Sequence, residues 1–297
     1  MKINCCWLYA ISAYGYPPPM AQTQRALREM ADMGFTAAEL EGVREPNLRA
    51  VHAARHELKS YCAELGLAII NFCPVLPDLV STDAARRSHA VELFELGADL
   101  AAFFGSPTVQ IDSFTPPLAY KGTPPYKKAV TFNQPFQARI PAGFSWARQW
   151  AALTDSVGRC KRIAAARGLT LLLEPRVGEL ISNTDGMLRL IDAVGAKGFG
   201  VVLDTGHQNG QKELLPLAVM KLGKAIKYVH ASDNDSLTNE HRAIGDGSID
   251  WDGLFMALKR VGFKGWVGVD VGNVPRLKSA YVRSRRALLR LARTHGM

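Results

Sequence analysis

A chain of 297 residues can bury one large core, and 47% hydrophobic with 21% charged residues and no low-complexity tract excludes a disordered or fibrous protein. No apolar run reaches a membrane span, and five cysteines without a CxxC pair argue for a soluble protein of a reducing, cytoplasmic compartment. The net charge of +9 is local: residues 273–297 hold seven Lys/Arg and no acid, residues 113–154 hold five Lys/Arg and no acid, and the remainder is slightly acidic, which speaks against a uniform nucleic-acid-binding surface.

The chain opens on "INCCWLYA", which lacks the long apolar core and cleavage site of a signal peptide and reads as a first strand with Cys5 and Cys6 on opposite faces. "TQRALREMADMG" follows as a helix with Leu27, Met30 and Met33 on one stripe and a stop at Gly34. The strand "TAAELEG" precedes a second helix carrying His52 and His56 four apart, a zinc-competent spacing that an outer helix turns into a solvated pair. "LAIINFCPV" and "TVQIDSF" are the third and fourth strands, separated by the helix "AVELFELGADLAAFFG" with Leu93, Leu96 and Leu100 in line. Residues 115–144, rich in Pro and aromatics, form an insert too long for an ordinary loop, expected to be a lid, a docking surface or a decoration. The strands "TLLLEP", "FGVVLDTG", "IKYVHASD" and "GWVGVDVG" complete the series, and "DWDGLFMALKRVG" reads as a helix capped by Asp250 and stopped at Gly262. "DNDSLTNE" begins like a calcium loop, but Leu237 stands where that loop needs Asp or Asn. The basic C-terminal stretch, with Leu277, Leu288 and Leu291, reads as a last outer helix.

Eight strands alternating with eight helices require parallel pairing and right-handed crossovers. Their number in fewer than 300 residues favours an α/β (β/α)8 TIM barrel, one domain over 1–297, above a doubly wound open sheet. Each of the last four strands ends near one metal-competent side chain: Glu174, Asp204, His230 and Asp270. A barrel brings such ends around one mouth, although their spacings are 30, 26 and 40 residues. Any one of these carboxylates alone reads as a helix cap or a satisfied polar group. Clustered, they repel one another unless a divalent cation relieves them, and three oxygens with one imidazole suit Mn²⁺, Mg²⁺ or Co²⁺.

The residues "LLLEPRVGELISNT", "GFGVVLDTGH", "YVHASDND", "HRAIGDGSIDW" and "GWVGVDVG" resemble the xylose-isomerase-like sugar phosphate isomerase/epimerase superfamily, specifically over 170–272 and more loosely before that. The resemblance implies one manganese-like catalytic ion on Glu174, Asp204, His230 and Asp270, substrate contacts at His207 and Arg242, and further substrate-side candidates in Arg176 and Glu179. It implies proton removal by Glu174 next to the carbonyl of a keto sugar or oxo-sugar, a metal-stabilised enediolate, and Asp270 as the second acid/base. Relatives that epimerise keto sugars commonly carry Glu at the last position, and Asp270 is one methylene shorter. The apurinic endonucleases of the same superfamily need histidines from earlier strands; this chain has none between His89 and His207, offers Asn71, Cys73 and Asp112 instead, and has Asn239 where an aspartate is expected. The insert, with "VQIDSFTPPLAY", also resembles the catalytic subunit of C-glycoside deglycosidases, which implies a lyase acting on 3-oxo-glucosides of aromatic aglycones beside a small second subunit. A sugar-binding barrel without turnover is the non-enzymatic alternative. The expected partners are a small sugar or glycoside and further subunits, with no nucleic acid and no membrane.

Overall fold

The computed structural model describes residues 1–122, 124 and 136–297. Eight strands pair in parallel: β1 (Lys2–Cys5), β2 (Ala37–Val43), β3 (Ala68–Val75), β4 (Thr108–Asp112), β5 (Thr170–Glu174), β6 (Phe199–Asp204), β7 (Ile226–Ala231) and β8 (Trp266–Val269). Each neighbours the next in chain order, and β1 closes the ring by pairing with both β8, Lys2–Cys5 against Trp266–Val269, and β2, Cys5 against Ala38. The molecule is a closed (β/α)8 TIM barrel.

The period of two along each strand sorts side chains into two cores. Outward residues such as Leu40, Phe72, Leu173, Leu203 and Val229 pack under the helices. Inward residues Cys6, Ala37, Ile70, Leu172, Val202 and Tyr228 form a separate plug inside the barrel. Cys5 and Cys6 fall into different cores, as strand alternation requires. At this level β8 offers Gly268, where a Cβ would meet Cys6 Sγ at 2.3 Å and Tyr228 Oη at 2.6 Å. Two residues further along the same inward faces come Glu39, Glu174, Asp204, His230 and Asp270, so the apolar plug is the floor of the site.

The helices at Met20–Asp32 and Ala84–Phe104 agree with the sequence reading. Asp83 Oδ1 caps the second, accepting from Ala85 N at 2.9 Å, and Gly105 ends it with φ of +80°. Asp250 caps Trp251–Arg260 through Gly253 N at 2.9 Å. Three expectations change. The first strand stops at Cys5, and Leu8–Tyr14 is a helix lying over the mouth. Its residues are not β-branched apart from Ile11, and a helical turn places Leu8 and Ile11 on one face toward the cavity. The second helix breaks at Ala54 into Arg44–Ala53 and Arg55–Glu64, so His52 and His56 sit on different helices, His56 packing edge-on to Phe103 at 4.9 Å. The connection after β6 holds two helices, Thr205–Gly210 and Leu215–Leu222.

Within the 115–144 insert, Ala119–Tyr120 pairs antiparallel with Ala138–Arg139, and Ser145 caps the following helix, Trp146–Ala166. Residues 123 and 125–135, on which much of the expected lid or docking role falls, lie outside the described residues. All five cysteines are buried and none forms a disulfide. Among the described residues no helix is long and apolar enough to cross a membrane.

Glu29 ties the two ends of the chain together. Its carboxylate accepts from Tyr9 Oη at 2.6 Å, Tyr14 Oη at 2.7 Å and Lys278 Nζ at 2.8 Å, joining Leu8–Tyr14, Met20–Asp32 and the C-terminal helix Leu277–His295. Burial alone would raise this carboxyl, but the bonds from Lys278, Tyr9 and Tyr14 bring it down from 4.5 to about 2. A carboxyl lowered in the folded state stabilises fully above the unfolded value and loses that contribution as pH falls toward the folded one. Glu29→Gln should therefore lower stability at pH 7 by about 2 kcal/mol and flatten the loss of stability between pH 4.5 and 2; urea unfolding as a function of pH measures both, and an unchanged acid limb refutes the assignment.

Candidate metal centre

At the C-terminal ends of β5, β6 and β7, ligand atoms of Glu174, Asp204 and His230 lie within 4.8 Å of one another, all three residues buried. Each strand ends on its functional residue because the chain turns there. After Asp204 the short helix Thr205–Gly210 begins, and Asp204 Oδ1 accepts from His207 N at 2.6 Å. The carboxylate is thus a helix cap with one oxygen only. Its other oxygen, Oδ2, is buried and has no hydrogen-bond partner among the described residues. Burial, with Glu174 and Asp270 nearby, pushes the Asp204 carboxyl up to about 7 even though His241 pulls the other way. Glu174 Oε2 accepts from Gln110 Nε2 at 3.1 Å, and its Oε1 lies 2.9 Å from His230 Nδ1. The second imidazole nitrogen, Nε2, lies 3.1 Å from Glu39 Oε1. Burial opposes charge on this ring, but Cys6, Glu39 and Glu174 together raise it well above the ordinary histidine range.

Beside this cluster Asp204, His207 and His241 form a second group with ligand atoms within 4.8 Å of one another. His241 Nδ1 lies 2.9 Å from Asp270 Oδ2, and the two imidazoles of His207 and His241 meet edge to face at 4.9 Å. Burial opposes charge on both rings. For His241, Asp204 and Asp270 outweigh it and raise the ring to about 9. For His207 the neighbouring His241, Arg176 and His230 add to it, so this ring is held well below the usual range and stays neutral.

The cavity above these residues is also lined by Leu8, Ile11 and Tyr16 from the first connection, by Glu41 and Cys73, and by Asp112 and Arg176. Arg176 Nη1 donates to Asp112 Oδ2 at 2.6 Å, and Arg176 Nε lies 3.4 Å from Glu179 Oε1. Glu179 Oε2 accepts from Ser113 N, Ser113 Oγ and Phe114 N at 2.9–3.1 Å, pinning the start of the insert. Glu41 Oε2 is buried without a partner, and burial together with Asp112 and Glu39 pushes its carboxyl well above the ordinary value. A second cavity adjoins the first across Tyr16, Val75, Asp112 and Arg176 and continues over Phe114, Pro116, Pro117, Leu118 and Tyr120 of the insert.

Residues 27–291 match the family model of the xylose isomerase-like TIM barrel. The chain belongs to that family. It is 24% identical to an inosose dehydratase of Geobacillus thermodenitrificans, over 92% of this chain and 90% of that protein, and 27% identical to an L-ribulose 3-epimerase of Mesorhizobium japonicum, over 71% and 74%. A similarity to an uncharacterised protein of Methanocaldococcus jannaschii, at 28% identity, spans only 33% of this chain and 34% of that one. The fold is similar to solved structures of L-ribulose 3-epimerase, with TM-score 0.76, 19% identity and coverage of 99% and 96%, and of the 3-keto-D-glucoside 4-epimerase of E. coli, with TM-score 0.75, 20% identity and coverage of 98% and 99%.

Within this xylose isomerase-like barrel the residues expected from the strand ends take different places. Glu174, Asp204 and His230 converge. Asp270 lines the same cavity but turns its carboxylate to His241 and is not among the clustered ligand atoms. His207 and Arg176 line the cavity, whereas Glu179 lines the adjoining one. Arg242 lines neither: its guanidinium pairs with Asp235, at 2.8 Å, and with Glu240. The cavity residue of "EHRAIG" is the preceding His241. Sequence reasoning also missed Glu39, Glu41 and Gln110; the signal available was their period of two along β2 and β4, in "ELE" and "QID". The cap at Asp204 gives a direct check. Asp204→Asn keeps an oxygen for His207 N and should unfold in urea close to wild type in chelator, whereas Asp204→Ala should lose about 1 kcal/mol; equal losses in both variants would remove the cap from the account.

Proposed function

We propose that the protein is a divalent-metal-dependent enzyme of the sugar isomerase/epimerase type, which removes a proton next to the carbonyl of a keto sugar or oxo-sugar. The observation that carries this reading is the convergence of Glu174, Asp204 and His230, with one oxygen of that aspartate, Oδ2, buried without a hydrogen-bond partner among the described residues. An unsatisfied anionic oxygen in such a place costs free energy unless a cation meets it. Two carboxylates and an imidazole suit Mn²⁺, with Mg²⁺ and Co²⁺ as ions of similar preference, and Asp270 is the nearby candidate for a fourth donor. When bound, the ion supplies fixed positive charge where negative charge develops on the sugar oxygens.

The protein's own groups do the rest. Glu174 is the base: Gln110 holds its Oε2, and Oε1, which faces His230 Nδ1 at 2.9 Å, is the oxygen that turns toward a substrate C–H. Asp270, held by His241, is the second acid/base, and neutral His207 contacts a sugar hydroxyl. Leu8, Ile11 and Tyr16 roof the cavity and limit water, which would otherwise quench the carbanionic species.

A second reading keeps the first step and changes the outcome. After the C–H bond breaks, its electron pair forms a C=C bond and expels a group from the next carbon, as in a C-glycoside deglycosidase or a dehydratase. The adjoining cavity favours it. Phe114, Leu118, two tyrosines and four prolines line that space; of its two cations, Arg44 and Arg176, the latter is already matched by Asp112 and Glu179. So largely apolar and aromatic a lining suits an apolar leaving group.

Chelation should abolish turnover and Mn²⁺ should restore it; full activity of verified metal-free protein would sink the proposal. Glu174→Gln should keep the fold by circular dichroism and lower turnover by about 10²–10⁴-fold. Incubation with keto sugars and 3-oxo-glycosides in D₂O, followed by NMR, decides the outcome: deuterium beside the carbonyl marks enolisation, release of an aglycone marks the lyase, and neither with Mn²⁺-loaded protein refutes both.

A further inference from the structure

Five inward side chains from five strands form a closed hydrogen-bonded circuit beneath the mouth. Glu39 Oε1 accepts from Asn71 Nδ2 at 2.9 Å and faces His230 Nε2 at 3.1 Å. Asn71 Nδ2 also donates to Gln110 Oε1 at 2.8 Å, Gln110 Nε2 donates to Glu174 Oε2 at 3.1 Å, and Glu174 Oε1 returns to His230 Nδ1 at 2.9 Å. Each step fixes the polarity of the next. Glu39 as a carboxylate can only accept, so the Asn71 amide presents its nitrogen to Glu39 and Gln110 and its oxygen, 2.8 Å away, to Thr108 Oγ1. Gln110 therefore accepts with its oxygen and offers its nitrogen to Glu174. Glu39 is in turn fully engaged, because its Oε2 takes the Trp7 amide at 3.4 Å. Both of its oxygens thus have partners, and with Cys6 and His230 it also forms a group whose ligand atoms lie within 4.8 Å of one another.

We propose that Glu39 is a positioning residue for the metal centre: its carboxylate holds a proton on Nε2 of His230, so that Nδ1, which faces Glu174 Oε1 in the metal-free circuit, gives up its own proton and offers its lone pair to the ion, while the Asn71–Gln110 arm of the same circuit fixes Glu174. A carboxylate behind a ligating imidazole sets both its tautomer and its ring orientation. The inference rests on the metal-centre reading above and adds a residue three strands away from either ligand it orients.

The test is calorimetric titration of MnCl₂ into chelator-treated full-length protein, with the thermal midpoint of each metal-free variant measured alongside. Glu39→Ala should bind Mn²⁺ about 10–100-fold more weakly at unchanged stoichiometry. Glu39→Gln keeps an oxygen for the His230 Nε2 proton and should recover most of that loss, which a purely structural role would not separate from a shift in thermal midpoint. Should Glu39→Ala not fold, Gln110→Ala tests the other arm, with an expected loss of about tenfold. A Glu39→Ala or Gln110→Ala affinity within twofold of wild type overturns the positioning role. A Glu39→Gln loss as large as that of Asp204→Ala makes Glu39 a ligand and also overturns it. Wild-type protein that binds no Mn²⁺ overturns the metal reading itself.

Discussion

Buried negative charge is the constraint around which this barrel mouth is organised. Glu39, Asp112, Glu174, Glu179, Asp204 and Asp270 are all buried, on inward strand positions and the loop after β5 that barrel closure brings together. Carboxylates gathered in a poorly solvated space repel one another and hold protons above their usual range unless cations answer them. The protein answers in two ways, and the division between them gives the site its polarity.

On the side of β4, the answer is covalently part of the chain. Arg176 spans Asp112 and Glu179, and Glu179 spends its other oxygen on the backbone at Ser113 and Phe114. Asp112 Oδ1 stays buried without a hydrogen-bond partner among the described residues, while Glu179 anchors the first residues of the insert next to the adjoining cavity. On the side of β6 and β7 the answer is incomplete. His230 and His241 face carboxylates, yet Asp204 keeps one oxygen buried and partnerless. In the function proposed above, an ion with a preference for oxygen and nitrogen would complete that half.

The helix Leu8–Tyr14 and the circuit through Glu39, Asn71 and Gln110 come from the half of the chain that carries none of the clustered ligands. They supply the roof and the support beneath. Across the lumen Asp270 turns its carboxylate to His241, away from the cluster of Glu174, Asp204 and His230.

The sequence by itself determined the barrel and the strand ends on which two carboxylates and an imidazole converge. Short apolar runs such as "TLLLE" and "FGVVLD", alternating with helical stretches such as the one capped at Asp250, leave few topologies open, because parallel strands must be joined by right-handed crossovers. Glu174, Asp204 and His230 were legible because each follows an inward apolar residue by two positions. Only the tertiary structure decided which side chains touch. Glu39 and Gln110 carry no local signal beyond alternation, and they matter only because closure sets β2 and β4 within reach of β7 and β5. The choice of His241 over Arg242 was likewise beyond reach of the sequence. The bridge between Asp233 and Arg242 fixes the backbone there, and alternation then sends neighbours to opposite sides, one to Asp270 and the other to Asp235. Local periodicity fixes direction along a strand, but contact across the lumen depends on distances that only the folded backbone defines.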